Sequence, residues 1–125
     1  DNDGDIDILV VNRDGPAHLL RNVVAGRGHW IGFRVVEDAR EALGAQVVVS
    51  IGSRRVTRQV RAAYSYCASN DPRVHFGLGK ATRVDGVTVR WPDAGIESFG
   101  RYTADQRVTL RRGAGTRVDD PEKTR

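Results

Sequence analysis

The stretch Ser69-Asn70-Asp71-Pro72-Arg73-Val74-His75-Phe76-Gly77-Leu78-Gly79-Lys80 sets the frame for the whole chain. Ser69 to Pro72 is a turn cluster, because Asn and Asp side chains bond nearby backbone and proline fixes φ. It feeds a short strand in which Val74, Phe76 and Leu78 share one face, since successive strand residues point to opposite sides. Gly77 and Gly79 then free the chain to turn. The next strand, Val87-Thr88-Val89-Arg90-Trp91, places Val87, Val89 and Trp91 on one face and stops at Pro92-Asp93-Ala94-Gly95. Trp91 continues an apolar face and reads as a core anchor.

Working outward, His29 to Val36 alternates with Ile31, Phe33 and Val35 on one side. Glu37 to Leu43 is too short for a stable helix and reads as a loop. Ala45 to Ile51 turns Ala45, Val47, Val49 and Ile51 inward, and Gly52-Ser53 makes a two-residue hairpin turn. The return strand, Arg54 to Arg61, turns Val56 and Val60 inward. Strict alternation brings Arg58 in with them, so Arg58 either lies at an edge and snorkels or is re-aimed by a bulge. Ala62 to Ala68 is an irregular connection. Ile96 to Phe99 pairs back on the preceding strand, Gly100 to Asp105 loops, and Gln106 to Arg111 closes the fold. The predicted architecture is all-β: an antiparallel β-sandwich or small barrel of about seven or eight strands, preceded by a β-hairpin. From Gly113 the chain has too little apolar content to fold, and residues 114–125 are expected to be a disordered tail.

Composition agrees: 39% hydrophobic and 29% charged residues with 14 glycines suit a β-rich domain with many turns. No apolar run approaches the ~20 residues of a membrane helix. The chain starts inside a motif, without Met, and reads as part of a longer protein. A formal charge of +4, carried mostly by arginine, points either to polyanionic partners or simply to a solvated basic surface. Cys67 is the single cysteine, which excludes an internal disulfide and a thiolate zinc cluster.

Asp1, Asp3, Asp5 and Asp7 alternate around Gly4, an arrangement that points hard oxygens at one cation; calcium takes about six to eight of them. The same stretch also reads as a polar turn with a strand behind it. Ile8-Leu9-Val10-Val11, the turn Arg13 to Pro16 and Ala17 to Asn22 then form a hairpin. Residues 1–24 resemble the last repeat of an FG-GAP (VCBS-type) β-propeller. That resemblance makes Asp1, Asp3 and Asp7 side-chain ligands of calcium and Asp5 a carbonyl ligand, with the first ligand preceding Asp1.

From Trp30 to Arg112 four motifs occur in order: Arg40-Glu41-Ala42-Leu43-Gly44-Ala45, Ser69-Asn70-Asp71-Pro72, His75-Phe76-Gly77-Leu78-Gly79, and Val89-Arg90-Trp91-Pro92 before Asp93-Ala94-Gly95. Residues 29–113 thereby resemble the ASPIC/UnbV domain, which follows FG-GAP propeller repeats in cartilage acidic protein and bacterial relatives. Glu41 stands where aspartate is usual, and Asp93-Ala94-Gly95 carries one extra residue. The resemblance implies a non-enzymatic, exported, calcium-binding module, extracellular or periplasmic, attached to upstream propeller blades and docking a protein or glycan partner.

Candidate sites have plain alternatives. Ser69, Asn70 and Asp71, beside Tyr64, Tyr66 and Trp91, suit a sugar, but turn chemistry explains them too. Cys67, His75 and Asp71 lack the spacing of a nucleophile, base and orienter, and Ser65 and Ser69 lack a glycine-flanked elbow. Arg54, Arg55 and Arg58 offer an alternative function, polyanion or nucleic-acid binding. Their hairpin has no aromatic to stack on bases, so nucleic acid would rest on charge alone.

Overall fold

The structure, a computed structural model, describes residues 3–119. Among them lie eleven strands and no helix: β1 (Ile8–Val10), β2 (His18–Leu20), β3 (His29–Glu37), β4 (Arg40–Glu41), β5 (Gln46–Ile51), β6 (Arg54–Gln59), β7 (Val74–Gly79), β8 (Arg83–Arg90), β9 (Ile96–Thr103), β10 (Gln106–Arg111) and β11 (Thr116–Arg117). β1 and β2 form the expected N-terminal hairpin. β3 to β11 form two sheets, one with β3 between β10 and the pair β7 and β4, the other ordered β11-β9-β8-β5-β6. Neither closes on itself, so the fold is a sandwich and not a barrel.

The period-two pattern explains the core. Ile31, Phe33 and Val35 of β3, Val74, Phe76 and Leu78 of β7, and Leu110 of β10 face Val47 and Val49 of β5 and Val84, Val87 and Val89 of β8, all buried. Trp91, at the end of β8, is 2% exposed, the core anchor that its spacing predicts. Arg112 lies over its ring, 5.5 Å from the centroid, and is paired with both Glu37 and Asp93. That one guanidinium ties the end of β3 to the β8–β9 turn.

The question of Arg58 resolves in favour of the edge. The β5–β6 register is continuous, Val47 facing Arg58, and β6 is the outermost strand of its sheet. An inward-facing arginine at an edge leaves for solvent and discourages another strand from pairing there.

Four expectations are corrected. The β3–β10 pairing is parallel, Gln106 facing Ile31 through Arg111 facing Val36, whereas an antiparallel arrangement was predicted throughout. The cause is the β9–β10 connection, which changes sheets at Ala104 and Asp105. There Ala104 N–H donates to the Thr82 carbonyl and Asp105 N–H to the Trp30 carbonyl. The predicted loop from Gly100 to Asp105 is largely strand, because two register shifts against β8 and Gly100 at φ 78° absorb the irregularity. The loop Glu37 to Leu43 contains β4, held against Val36 and Glu37. The tail expected to be disordered over 114–125 instead adds β11 to β9. The Glu97 carboxylate accepts from the N–H groups of Gly113 and Gly115, and Gly115 lies where a Cβ would meet the Ser98 carbonyl at 2.9 Å. A glycine and a carboxylate, not apolar burial, order this segment. Residues 120–125 of that expected tail lie outside the described residues.

Candidate functional site

The acidic loop is the first candidate. Asp1 lies outside the described residues. Asp3 and Asp5 both turn to Arg27, at 2.7 Å each, and the Asp3 carboxylate also accepts from the Asp5 N–H. Asp7 lies further along and accepts from the Asn22 N–H at 2.9 Å, closing the hairpin. Among the described residues no three acidic, histidine or cysteine groups converge to hold a metal ion. In the described part of the loop the cation between the Asp3 and Asp5 carboxylates is the Arg27 guanidinium. Gly4, at φ 100°, lies so close to the Trp30 indole that a Cβ would fall 2.0 Å from Nε1. The loop is thus seated on the sandwich.

The connection from β6 to β7 is the second candidate. Its ends are tied where the Asn70 N–H donates to the Ala62 carbonyl at 2.6 Å, giving a compact surface loop. Tyr64 and Tyr66 stand out from it, 61% and 94% exposed. Ser69 and Asn70 are exposed as well. Asp71 is engaged by Arg73, whose Nε donates to it at 2.7 Å and whose backbone N–H donates at 2.9 Å. Turn chemistry accounts for Asp71, therefore, and Trp91 is in the core and does not join Tyr64 and Tyr66. Cys67 is exposed and in the left-handed region at φ 50°. His75 stacks on Trp30 instead.

His75 belongs to a cluster on the outer face of the β3 sheet that sequence reasoning missed. Trp30 pairs with Gly77 and Gly32 with His75, so aromatic and glycine positions alternate across β3 and β7. The Trp30 ring leans over Gly32, where a Cβ would lie 3.6 Å from it, and is nearly parallel to the His75 ring, 15° apart with centroids at 5.6 Å. Arg107 of β10, facing Gly32, sits over the Trp30 ring at 5.3 Å. The residues come from positions 30, 75 and 107, and only the parallel β3–β10 pairing brings the third to the first two. No local signal in the sequence joins the three, although Gly32, two residues after Trp30, leaves the space that the Trp30 ring and Arg107 share.

Arg54, Arg55 and Arg58 lie on the edge strand β6, exposed. Arg55 points to the outer face of its sheet, while Arg58 shares the side of Val56. The hairpin carries no aromatic, as its sequence indicates.

Several charges are tuned by these contacts. The Asp71 carboxyl is held below the usual range chiefly by the Arg73 hydrogen bond, Asp93 by Arg112 and Asp105 by His29. Asp3 is lowered by the Asp5 N–H and then by Arg27. The imidazole of His75 is held below the ordinary histidine range, first by burial and then by Arg107 and Arg58, with Asp5 opposing. A depressed native pKa means that the unfolded chain binds protons more readily, so stability falls as acid is added. We expect the melting temperature to be flat above about pH 7, to decline as His75 is forced to protonate below about 6.5, and to fall further below about 4 as the carboxylates protonate. Thermal scans across that range check this; a melting temperature that rose on acidification would contradict it.

A family model described as ASPIC and UnbV matches residues 36–117, about two-thirds of the chain. No curated protein and no solved structure matches significantly. The matched span runs from the end of β3 to β11, covering most of the sandwich, and this chain belongs to the ASPIC and UnbV family.

Proposed function

We propose that this chain is a non-catalytic, exported docking module of a larger protein, its N-terminal hairpin closing a propeller-type repeat and its sandwich gripping a glycan or protein partner through the loop between β6 and β7. The carrying observation is that Tyr64 and Tyr66 are held out in solvent by a loop whose ends are pinned together. Rigid, exposed tyrosines offer a large amphipathic contact at low entropic cost, the usual make-up of a binding hot spot.

Calcium enters this reading only as a competitor of Arg27, because Asp3 and Asp5 must leave the guanidinium before their oxygens can ligate an ion.

The test is an immobilised panel of neutral and acidic glycans probed with the chain and with Tyr66→Ser. We expect retained glycans to lose about tenfold or more in affinity in the variant, with an unchanged melting temperature because Tyr66 touches little of the fold. Equal binding by parent and variant would overturn the role of the loop, and an entirely silent panel would remove the glycan partner.

A further inference from the structure

We infer that the free edge of β10 is a docking site for an extended, acidic segment of a partner protein, which adds to the β3 sheet as a further strand and sets a carboxylate against Arg111. The site lies on the side of the sandwich away from β6 and the loop that follows it, so it goes beyond the docking reading and does not depend on it.

Three observations carry it. The first is an unmet strand edge. Among the described residues β10 pairs with β3 over its whole length and with no strand on its other side, while β11 covers only Glu97 and Ser98 of β9. Both sheets therefore end open here. A row of unpaired N–H and C=O groups is a template for another backbone, and proteins usually blunt it. β6 does so with the inward-facing Arg58. β10 has no proline, and its inward residues are the apolar Val108 and Leu110. The chain itself uses this side of the sandwich in the same way, laying Thr116 and Arg117 antiparallel on β9.

The second observation is a groove of about 490 Å³ beside that edge, lined by Phe99, Gly100 and Tyr102 of β9, Thr109 and Arg111 of β10, and residues 114–116. Phe99 and Tyr102 pack against the core and remain half-exposed. A Cβ at Gly100 would meet nothing within 4 Å, so no side chain fills the groove at that point. Side chains of an added strand alternate between its two sides. One set falls inward, toward Phe99 and Tyr102, and the other lies with Thr109 and Arg111 on the side of β10 opposite Leu110.

Charge is the third. Arg111 is the one charged residue lining the groove, and among the described residues no carboxylate pairs with it. The next guanidinium, Arg112, is neutralised by both Glu37 and Asp93. An aspartate or glutamate on the added strand supplies the missing partner, and opposite charges across a strand pair favour pairing. A second copy of β10 would instead bring the arginines of two identical strands together, and like charges oppose pairing.

The experiment screens the whole chain against an array of extended octapeptides with glutamate at alternate positions and valine, isoleucine, threonine or phenylalanine between them. Retained peptides are measured by fluorescence polarisation at physiological salt. Arg111→Glu is expected to weaken them about tenfold, as is lysine in place of their glutamates. Arg55→Glu, the same charge change on the far edge strand, is expected to leave affinity within about twofold. Thermal scans confirm that the variants are folded, and Arg111→Gln keeps the test alive should Arg111→Glu fail. Alternate amides of a strand face one edge, so N-methylating one alternate set of peptide amides should abolish binding and methylating the other should spare it. Hydrogen exchange at outward amides of β10 should slow on binding. Equal losses from Arg55→Glu and Arg111→Glu would overturn the site in favour of diffuse charge. Equal effects of the two methylated sets, or unchanged exchange in β10, would overturn strand addition. Protection of β10 in a dimer formed without peptide would overturn the site in favour of a second copy. An array that retains no glutamate peptide would sink this inference, while glycan binding through Tyr66 stands or falls separately.

Discussion

Replacing Phe33 by alanine lowers the unfolding free energy by about 3–5 kcal/mol, the cost of truncating a buried aromatic and leaving its cavity. Phe33 is completely buried. Its ring meets Phe76 edge-on at 6.0 Å and Tyr102 edge-on at 5.9 Å, so it joins β3 both to its neighbour β7 and to β9 across the sandwich. β3 is also the strand on which β10, β7 and β4 all pair, and a cavity there cannot close without moving several partners. Domains are stable by only about 5–15 kcal/mol, so the variant stands close to unfolding at room temperature. Urea denaturation measures this directly. Phe33→Leu, which keeps most of the volume, is expected to lose well under half as much. A loss below about 1 kcal/mol for Phe33→Ala, typical of surface changes, would mean that the two sheets do not meet through this ring.

The same residue shows what was legible in the sequence. Ile31, Phe33 and Val35, like Val74, Phe76 and Leu78 or Val87, Val89 and Trp91, alternate without interruption, and period two fixes both strand and buried face. What alternation does not carry is which strands become neighbours. Nothing local to Gln106 to Arg111 announces that it pairs parallel to β3, since that depends on a change of sheet at Asp105, pinned by the Trp30 carbonyl. β4 and β11, two residues each, are shorter than any periodic signal, and Glu97, which orders the tail through Gly113 and Gly115, lies well upstream of it. The site was legible to the same degree. Tyr64 and Tyr66 were named because they sit beside a turn cluster, a local feature. Trp30, His75 and Arg107 were not joined because they meet only in the folded sheet. Alternation alone turns Arg58 toward the inner side, and only the fold shows that β6 is an edge from which it can leave for solvent. The acidic loop was read from its spacing alone, which cannot reveal that Arg27, beyond the hairpin, turns back to Asp3 and Asp5.

Gly4→Ala is expected to lift the N-terminal hairpin off the sandwich while leaving the sandwich folded. Two effects act together. Gly4 has φ 100°, a conformation that alanine adopts only under strain, and its new Cβ would lie 2.0 Å from Trp30 Nε1. The indole has little room to yield, because His75 and Arg107 already pack on it. The loop therefore moves, and with it go the exposed aliphatic residues of β1 and β2, including Leu9, Leu19 and Leu20, which gain little from packing elsewhere. Chymotrypsin should cut after these leucines about tenfold faster in the variant, and Trp30 emission should shift to the red. The melting temperature of the sandwich should change by less than about 2 °C, since the core is not touched. Unchanged cleavage and emission would show that the loop is not seated on Trp30 in solution. The same digestion decides what holds the loop. With Arg27 in place between Asp3 and Asp5, cleavage of the parent should be equal in millimolar calcium and in chelator. Arg27→Ala should speed cleavage in chelator, and calcium should slow it again, because the guanidinium no longer occupies the carboxylates. Calcium protection of the parent itself would mean that the ion displaces Arg27 unaided, and the loop would then be a metal site held shut by its own side chain.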